Sequence, residues 1–156
     1  MQTQGGFSYA IVMFLVAVLS LVSTRALENS LTSARRDKEA ELLWVGQAYR
    51  RAIQEYYQNT QGSDKLYPAA LKDLLEDTRP ILLHRPLRRL YRDPITGGDM
   101  VPIRQGGGES GPIIGVRSAS AQTPLKTDGF PTELANFTNA ASYQGWQFIY
   151  EPSTGK

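Results

Sequence analysis

The chain opens on an unbroken apolar block and then changes period. Residues 7–24, Phe-Ser-Tyr-Ala-Ile-Val-Met-Phe-Leu-Val-Ala-Val-Leu-Ser-Leu-Val-Ser-Thr, carry no charge. As a helix this run spans about 27 Å, close to the hydrocarbon thickness of a bilayer. Its hydroxyls can bond back to carbonyls of their own helix, so they do not argue against a membrane span. From Arg25 onward apolar residues recur at three- and four-residue spacing: Leu27, Leu31, Ala34, Leu42, Val45, Tyr49, Ala52, Ile53 and Tyr56. Glu28, Arg35, Arg36, Asp37, Lys38, Glu39, Glu41, Arg50, Arg51 and Glu55 fall mostly on the other face, which is the signature of an amphipathic helix. Pro68 is the first proline, and Gly46 the only glycine between Phe7 and Gln61. The spacing therefore predicts one helix over residues 8–58, about 75 Å long, far beyond the three or four turns usual in globular proteins. A coiled coil would want an apolar residue at Lys38 and a longer heptad run. A membrane half continued by an amphipathic half that lies on a sheet accounts for both patterns.

Turn formers at Asn59-Thr-Gln-Gly-Ser-Asp64 stop the helix. Pro68 suits the first turn of a short helix over residues 69–76, with Leu71, Leu74 and Leu75 as its apolar side. Strands are predicted at residues 100–103, 112–118 and 143–150, the last placing Trp146, Phe148 and Tyr150 on one face and Gln147 and Ile149 on the other. Residues 119–141 are polar and turn-rich, a long loop with a short helical turn. The fold class this predicts is α+β, a small antiparallel sheet packed across the amphipathic half of the helix. The domain boundaries are a leader at 1–6, a transmembrane half at 7–24, an amphipathic half at 25–58 and a C-terminal domain at 59–156.

Composition narrows the chemistry. No cysteine occurs among the 156 residues, which excludes disulfides, thiolate metal sites and cysteine nucleophiles. The single histidine, His84, excludes a two-histidine metal site, and its neighbours Leu82, Leu83, Arg85 and Pro86 place it as a surface or packing residue. Gly106-Gly-Gly-Glu-Ser-Gly111 lacks the lysine and following helix of a phosphate loop and the spacing of a nucleophile elbow, so it reads as a hairpin loop. No constellation supports an enzyme. The formal charge of +2 announces neither a nucleic acid nor an acidic partner. Six arginines (Arg79, Arg85, Arg88, Arg89, Arg92, Arg104) nevertheless crowd one stretch with Asp93 and Asp99. They form either a solvated or subunit-facing surface or a site for DNA phosphates. Tyr91 is the only aromatic among them, so the stacking platform for single strands is missing and the first reading is preferred.

Three readings compete for the apolar block. A cleaved secretory signal needs a basic leader and a small-x-small site, and neither is present near Ser23-Thr24-Arg25-Ala26. A simple signal anchor leaves the amphipathic continuation unexplained. The third is a retained segment behind a short hydrophilic leader: Gly5-Gly6-Phe7-Ser8 followed by the apolar run resembles the prepilin peptidase site of type IV pilins and type II secretion pseudopilins. Tyr67-Pro68, Leu71, Leu74 and the turn Tyr91-Arg-Asp-Pro-Ile-Thr-Gly97 resemble more loosely the region after the stem in the major, G-type pseudopilins.

That resemblance implies a pilin-like fold, cleavage between Gly6 and Phe7 and N-methylation of Phe7. It implies a single-pass subunit of the bacterial inner membrane, its C-terminal domain periplasmic, its stem packing through Tyr9, Ile11, Phe14, Leu15, Val18 and Val22 when the filament assembles. The implied partners are other pilin or pseudopilin subunits, the prepilin peptidase and the assembly platform; nucleic acid is not expected. One departure is plain: Ile11 stands at the fifth mature position, where the family usually has a glutamate, as some minor tip subunits also lack it. The alternatives are a minor type IV pilin, with DNA uptake as one role, or a membrane-anchored periplasmic binding module. No cofactor is expected except calcium, which the resembled pseudopilins hold in a C-terminal loop; Asp93, Asp99 and Asp128 are the carboxylates at hand.

Overall fold

A computed structural model describes residues 5–60, 65–77, 79, 84–108 and 110–152; the side chains of residues 5–8 and 21–29 are not described. The class is α+β: helices and one three-stranded antiparallel sheet. Helical backbone, α1, is assigned over Gly5–Gln58. By internal contacts the chain divides into Met1–Asp37 and Lys38–Lys156.

In Met1–Asp37 the described apolar side chains are open. Tyr9, Ile11, Phe14, Leu15 and Val18 are between 40% and 69% exposed, and the Ser20 hydroxyl donates to the Val16 carbonyl at 2.8 Å, as a serine on an apolar helix does. Leu31 and Ala34, expected on the packed stripe, are exposed.

Lys38–Lys156 holds the core. Its strands are β1 Val101–Arg104, β2 Ile113–Arg117 and β3 Phe148–Ile149, in the order β1-β2-β3. Val101 pairs with Arg117 and Ile103 with Gly115, and a register shift follows at Arg104. Gly115 then faces Ile149 and Val116 faces Phe148. Leu42, Val45, Tyr49, Ala52, Ile53 and Tyr56 of α1 are buried in one cluster with Ile113, Val116, Phe148, Trp146, Tyr143 and Phe137. Each such aliphatic side chain contributes about 2 kcal/mol on burial. Phe137 stacks on Trp146 at 5.7 Å and meets Phe148 edge-on at 5.0 Å. At Gly46 α1 lies directly against β3: a Cβ there would lie 2.3 Å from the Phe148 ring, so the helix tolerates its one interior glycine because the ring occupies that space.

Several predicted elements shift. The helix expected at 69–76 is a single 3-10 turn, Leu71–Leu74, with Ala70 extended before it. The Pro68 carbonyl accepts from the Ile113 amide at 2.8 Å, so this segment lies against β2 rather than entering a helix. The strand expected at 143–150 is strand only at Phe148–Ile149; a 3-10 turn at Tyr143–Gly145 replaces its first half. The inward side was nevertheless readable, since Trp146, Phe148 and Tyr150 are all buried. The glycine-rich stretch does join β1 to β2 as a hairpin loop, the Gln105 amide donating to the Pro112 carbonyl at 2.9 Å.

The end of α1 has no basic residue of its own in the last turn, and distant groups satisfy its orphan carbonyls. Arg79 Nη2 donates to the Tyr56 carbonyl at 2.9 Å and Lys65 Nζ to that of Gln58 at 2.9 Å. The Arg79 guanidinium also lies 3.5 Å from the Tyr56 ring centre and pairs with the buried Asp77 carboxylate at 2.7 Å.

Candidate functional site

The sequence offers four groups of site residues, and the structure treats them differently. The processing pair, Gly6 and Phe7, and stem residue Val22 lie outside the residues whose side chains are described. The other stem residues, Tyr9, Ile11, Phe14, Leu15 and Val18, are all exposed. Among the described residues no helix is long and apolar enough to cross a membrane; within the block at 7–24 the described side chains run only from 9 to 20.

The carboxylates considered for calcium do not converge. Asp93 is completely buried and accepts hydrogen bonds from four protein donors. The Ile95 amide donates to it at 3.0 Å, the Thr96 hydroxyl at 2.8 Å, the Ser118 hydroxyl at 2.7 Å and the Ala119 amide at 3.2 Å. These N–H and O–H groups hold Asp93 in a turn-closing role. The turn itself is built for this: the Gly97 amide donates to the Asp93 carbonyl at 2.7 Å, with Gly97 at φ +75°, a conformation glycine adopts without strain. Asp99 is exposed beside that turn, and exposed Asp128 accepts from the Gly129 amide at 2.7 Å. No group of three or more His, Asp or Glu side chains is placed to hold a metal among the described residues.

The arginine stretch separates into two kinds. Arg79 is structural, as its bonds to Asp77, Thr60 and Tyr56 show; those Arg79 hydrogen bonds hold the Asp77 carboxyl below the usual carboxylate range, outweighing burial, which pushes the other way. Arg104 donates to the Ala69 and Gly111 carbonyls and ties the hairpin loop to the chain before the 3-10 turn. Arg85, Arg88, Arg89 and Arg92 stand exposed. His84 is half-buried, its Nε2 3.4 Å from a Glu55 carboxylate oxygen, and its backbone bridges to Asp77, in keeping with a packing residue.

Two positions escaped the sequence reading. Glu39, expected on the solvent face, is 4% exposed. Its Oε1 accepts from the amides of Leu125 and Lys126 and from the Tyr143 hydroxyl at 2.8 Å, so one carboxylate pins the 119–141 loop to α1. The signal was present: Glu39 sits three residues before Leu42, in register with the packed stripe. Trp44 is the second. It is 52% exposed and its ring meets Tyr91 at 5.1 Å, bringing an aromatic from α1 into the arginine stretch where the sequence showed Tyr91 alone. On another face of α1, Gln47, Arg50, Gln54, Gln58 and Tyr150 line an open polar groove of about 540 Å³, where Arg50 pairs with Glu133 at 2.9 Å.

No protein family, curated protein or solved structure matches this chain.

Proposed function

We propose that this chain is a non-enzymatic, pilin-like structural subunit, a pseudopilin of a type II secretion-like filament or a subunit of a related type IV pilus. In this reading one long helix serves two partners. Residues 7–24 anchor the subunit in the inner membrane and later pack against other stems, while the helix beyond residue 38 carries the sheet domain in the periplasm. A prepilin peptidase cuts between Gly6 and Phe7, and the new N-terminus is methylated. Assembly, not catalysis, is the mechanism.

The observation that carries the reading is the contrast along α1. Its Leu42-to-Tyr56 stripe is buried in the chain's own core, whereas Tyr9, Ile11, Phe14, Leu15 and Val18 are apolar and exposed. A soluble monomer does not leave such a run open to water; lipid or neighbouring stems cover it. Because the chain has no cysteine, single cysteines at Tyr9, Phe14, Val18 or Val22 report stem contacts cleanly. Oxidation in membranes of cells expressing the assembly machinery is expected to give stem-linked oligomers. Uniformly monomeric protein at all four positions would count against the filament.

Within this class, Ile11 favours a specialised or tip position, since no carboxylate is available to meet a neighbour's N-terminal ammonium, a pair that low dielectric would favour over an unpaired charge. Ile11→Glu is expected to leave incorporation unchanged or reduced; improved incorporation would assign the chain to the major subunits instead.

A further inference from the structure

The surface around Trp44 carries a feature the filament reading does not use. Leu87 is buried and anchors the loop at 84–92 in the core, and on either side of it Arg85, Arg88, Arg89 and Arg92 are exposed. Among the described residues none of these four guanidiniums is paired with a carboxylate. Two apolar side chains are open beside them, Trp44 at 52% and Leu90 at 39%. Tyr91 organises the patch. The Tyr49 hydroxyl binds its backbone on both sides, receiving from the Tyr91 amide at 2.9 Å and donating to the Tyr91 carbonyl at 3.0 Å. Its ring packs against Trp44, and the Arg89 guanidinium lies 5.0 Å from its centre. Arg89, Leu90, Tyr91 and Arg92 line an open concavity of about 450 Å³ with Glu41 on its α1 side.

We propose that this patch docks an acidic segment of a protein partner, one that also carries leucine-like side chains. The chemistry supports that occupant on three counts. Guanidinium forks match carboxylates in a bidentate geometry that lysine cannot reproduce. Arginine, tryptophan and tyrosine are the residue types that dominate binding at protein interfaces, and here they adjoin a concavity open to an anchor side chain. Four exposed cations within one short loop also draw an acidic partner in and orient it. A nucleic acid fits less well, because stacking bases needs free aromatic faces; Tyr91 is half-buried with Arg89 over its ring, leaving Trp44 alone. The patch lies wholly within residues 38–156 and stands whether or not the chain is a filament subunit.

The test uses the full chain in a neutral detergent, titrated with a fluorescent peptide of repeated Glu-Asp-Leu. A Lys-Ser-Leu repeat and an oligothymidylate of similar length serve as the other arms. The chain has two tryptophans, and Trp146 is fully buried, so a change in tryptophan emission on binding reports Trp44. The expected result is saturable binding of the acidic peptide with a Trp44 response and a steep loss of affinity with salt. The R88A/R89A/R92A variant is expected to weaken binding at least about tenfold, with the R88K/R89K/R92K variant between it and the parent. Trp44→Ser is expected to weaken peptide binding by anisotropy without changing its salt dependence. Absent binding of the acidic peptide, tighter binding of the oligothymidylate, or an R88A/R89A/R92A variant with unchanged affinity would each overturn the proposal.

Discussion

The two ends of α1 use helical apolar residues in opposite ways. Between residues 9 and 19 the side chains are apolar on every side and exposed. Between residues 42 and 56 they form a stripe, and Leu42, Val45, Tyr49 and Ile53 are all at or below 1% exposure. A stripe needs one surface to cover it, and the sheet domain supplies that surface within the same chain. An all-round apolar helix needs cover on all sides, which among the described residues its own chain does not give. The distal part of α1 therefore belongs to the fold, while the proximal part is left open for the anchoring and stem packing proposed above.

The largest expected effect sharpens that contrast. Tyr49→Ala removes a buried ring and the hydroxyl that holds both sides of the Tyr91 backbone, and is expected to cost about 4 kcal/mol in urea unfolding of the detergent-held chain. Phe14→Ala, the same kind of truncation in the proximal part, is expected to leave that unfolding midpoint unmoved. Equal effects of the two would dissolve the distinction.

Gly46→Ala should follow in size. Alanine is the better helix former by about 1 kcal/mol, yet its Cβ would meet the Phe148 ring at 2.3 Å. A net loss of about 2 kcal/mol is expected from overpacking, and Phe148→Leu in the same chain should recover part of it in a double-mutant cycle. A net gain in stability would mean that α1 does not lie against β3 at this point.

Glu39→Gln is expected to cost about 1 kcal/mol, since an uncharged amide oxygen is a weaker acceptor for the Leu125 and Lys126 amides and the Tyr143 hydroxyl. Hydrogen exchange at Leu125 and Lys126 is the direct readout, and it should rise there before it rises in the strands.

The smallest effect is a pH dependence at the distal end of α1. Arg79 holds the folded Asp77 carboxyl below its usual range. A carboxyl whose folded value is depressed adds stability above the unfolded value, near 3.9, and that stability is lost as pH falls through the folded value. Asp77→Asn is therefore expected to lower stability at neutral pH and to flatten the loss below about pH 4. An unchanged acid limb would remove the Asp77–Arg79 pair from the account of how α1 ends.

Much of this was legible in the chain because periodicity is a one-dimensional signal. The stripe from Leu42 to Tyr56, the hairpin around Gly106 and the inward set Trp146, Phe148 and Tyr150 follow from spacing alone. What was not legible depends on contacts distant in sequence. Glu39 keeps the spacing of the packed stripe, but what its carboxylate binds, two amides of the 119–141 loop and the Tyr143 hydroxyl, lies far along the chain. Arg79 reads as one of six alike arginines until its guanidinium is seen to bind the Tyr56 carbonyl at a helix end that has no basic residue of its own in the last turn. The Tyr143–Gly145 turn falls where the alternation of Trp146, Phe148 and Tyr150 stops, with Tyr143 buried out of phase with that set. Trp44 enters the arginine stretch only through its contact with Tyr91, and no spacing rule joins residues so far apart.

The central claim is that the apolar segment is kept, behind a leader that is removed. Intact mass and N-terminal sequencing of the protein extracted from membranes test it most directly. The account predicts a chain beginning at N-methylated Phe7 in the membrane fraction. A product beginning near Ala26 and recovered free of the membrane would contradict it.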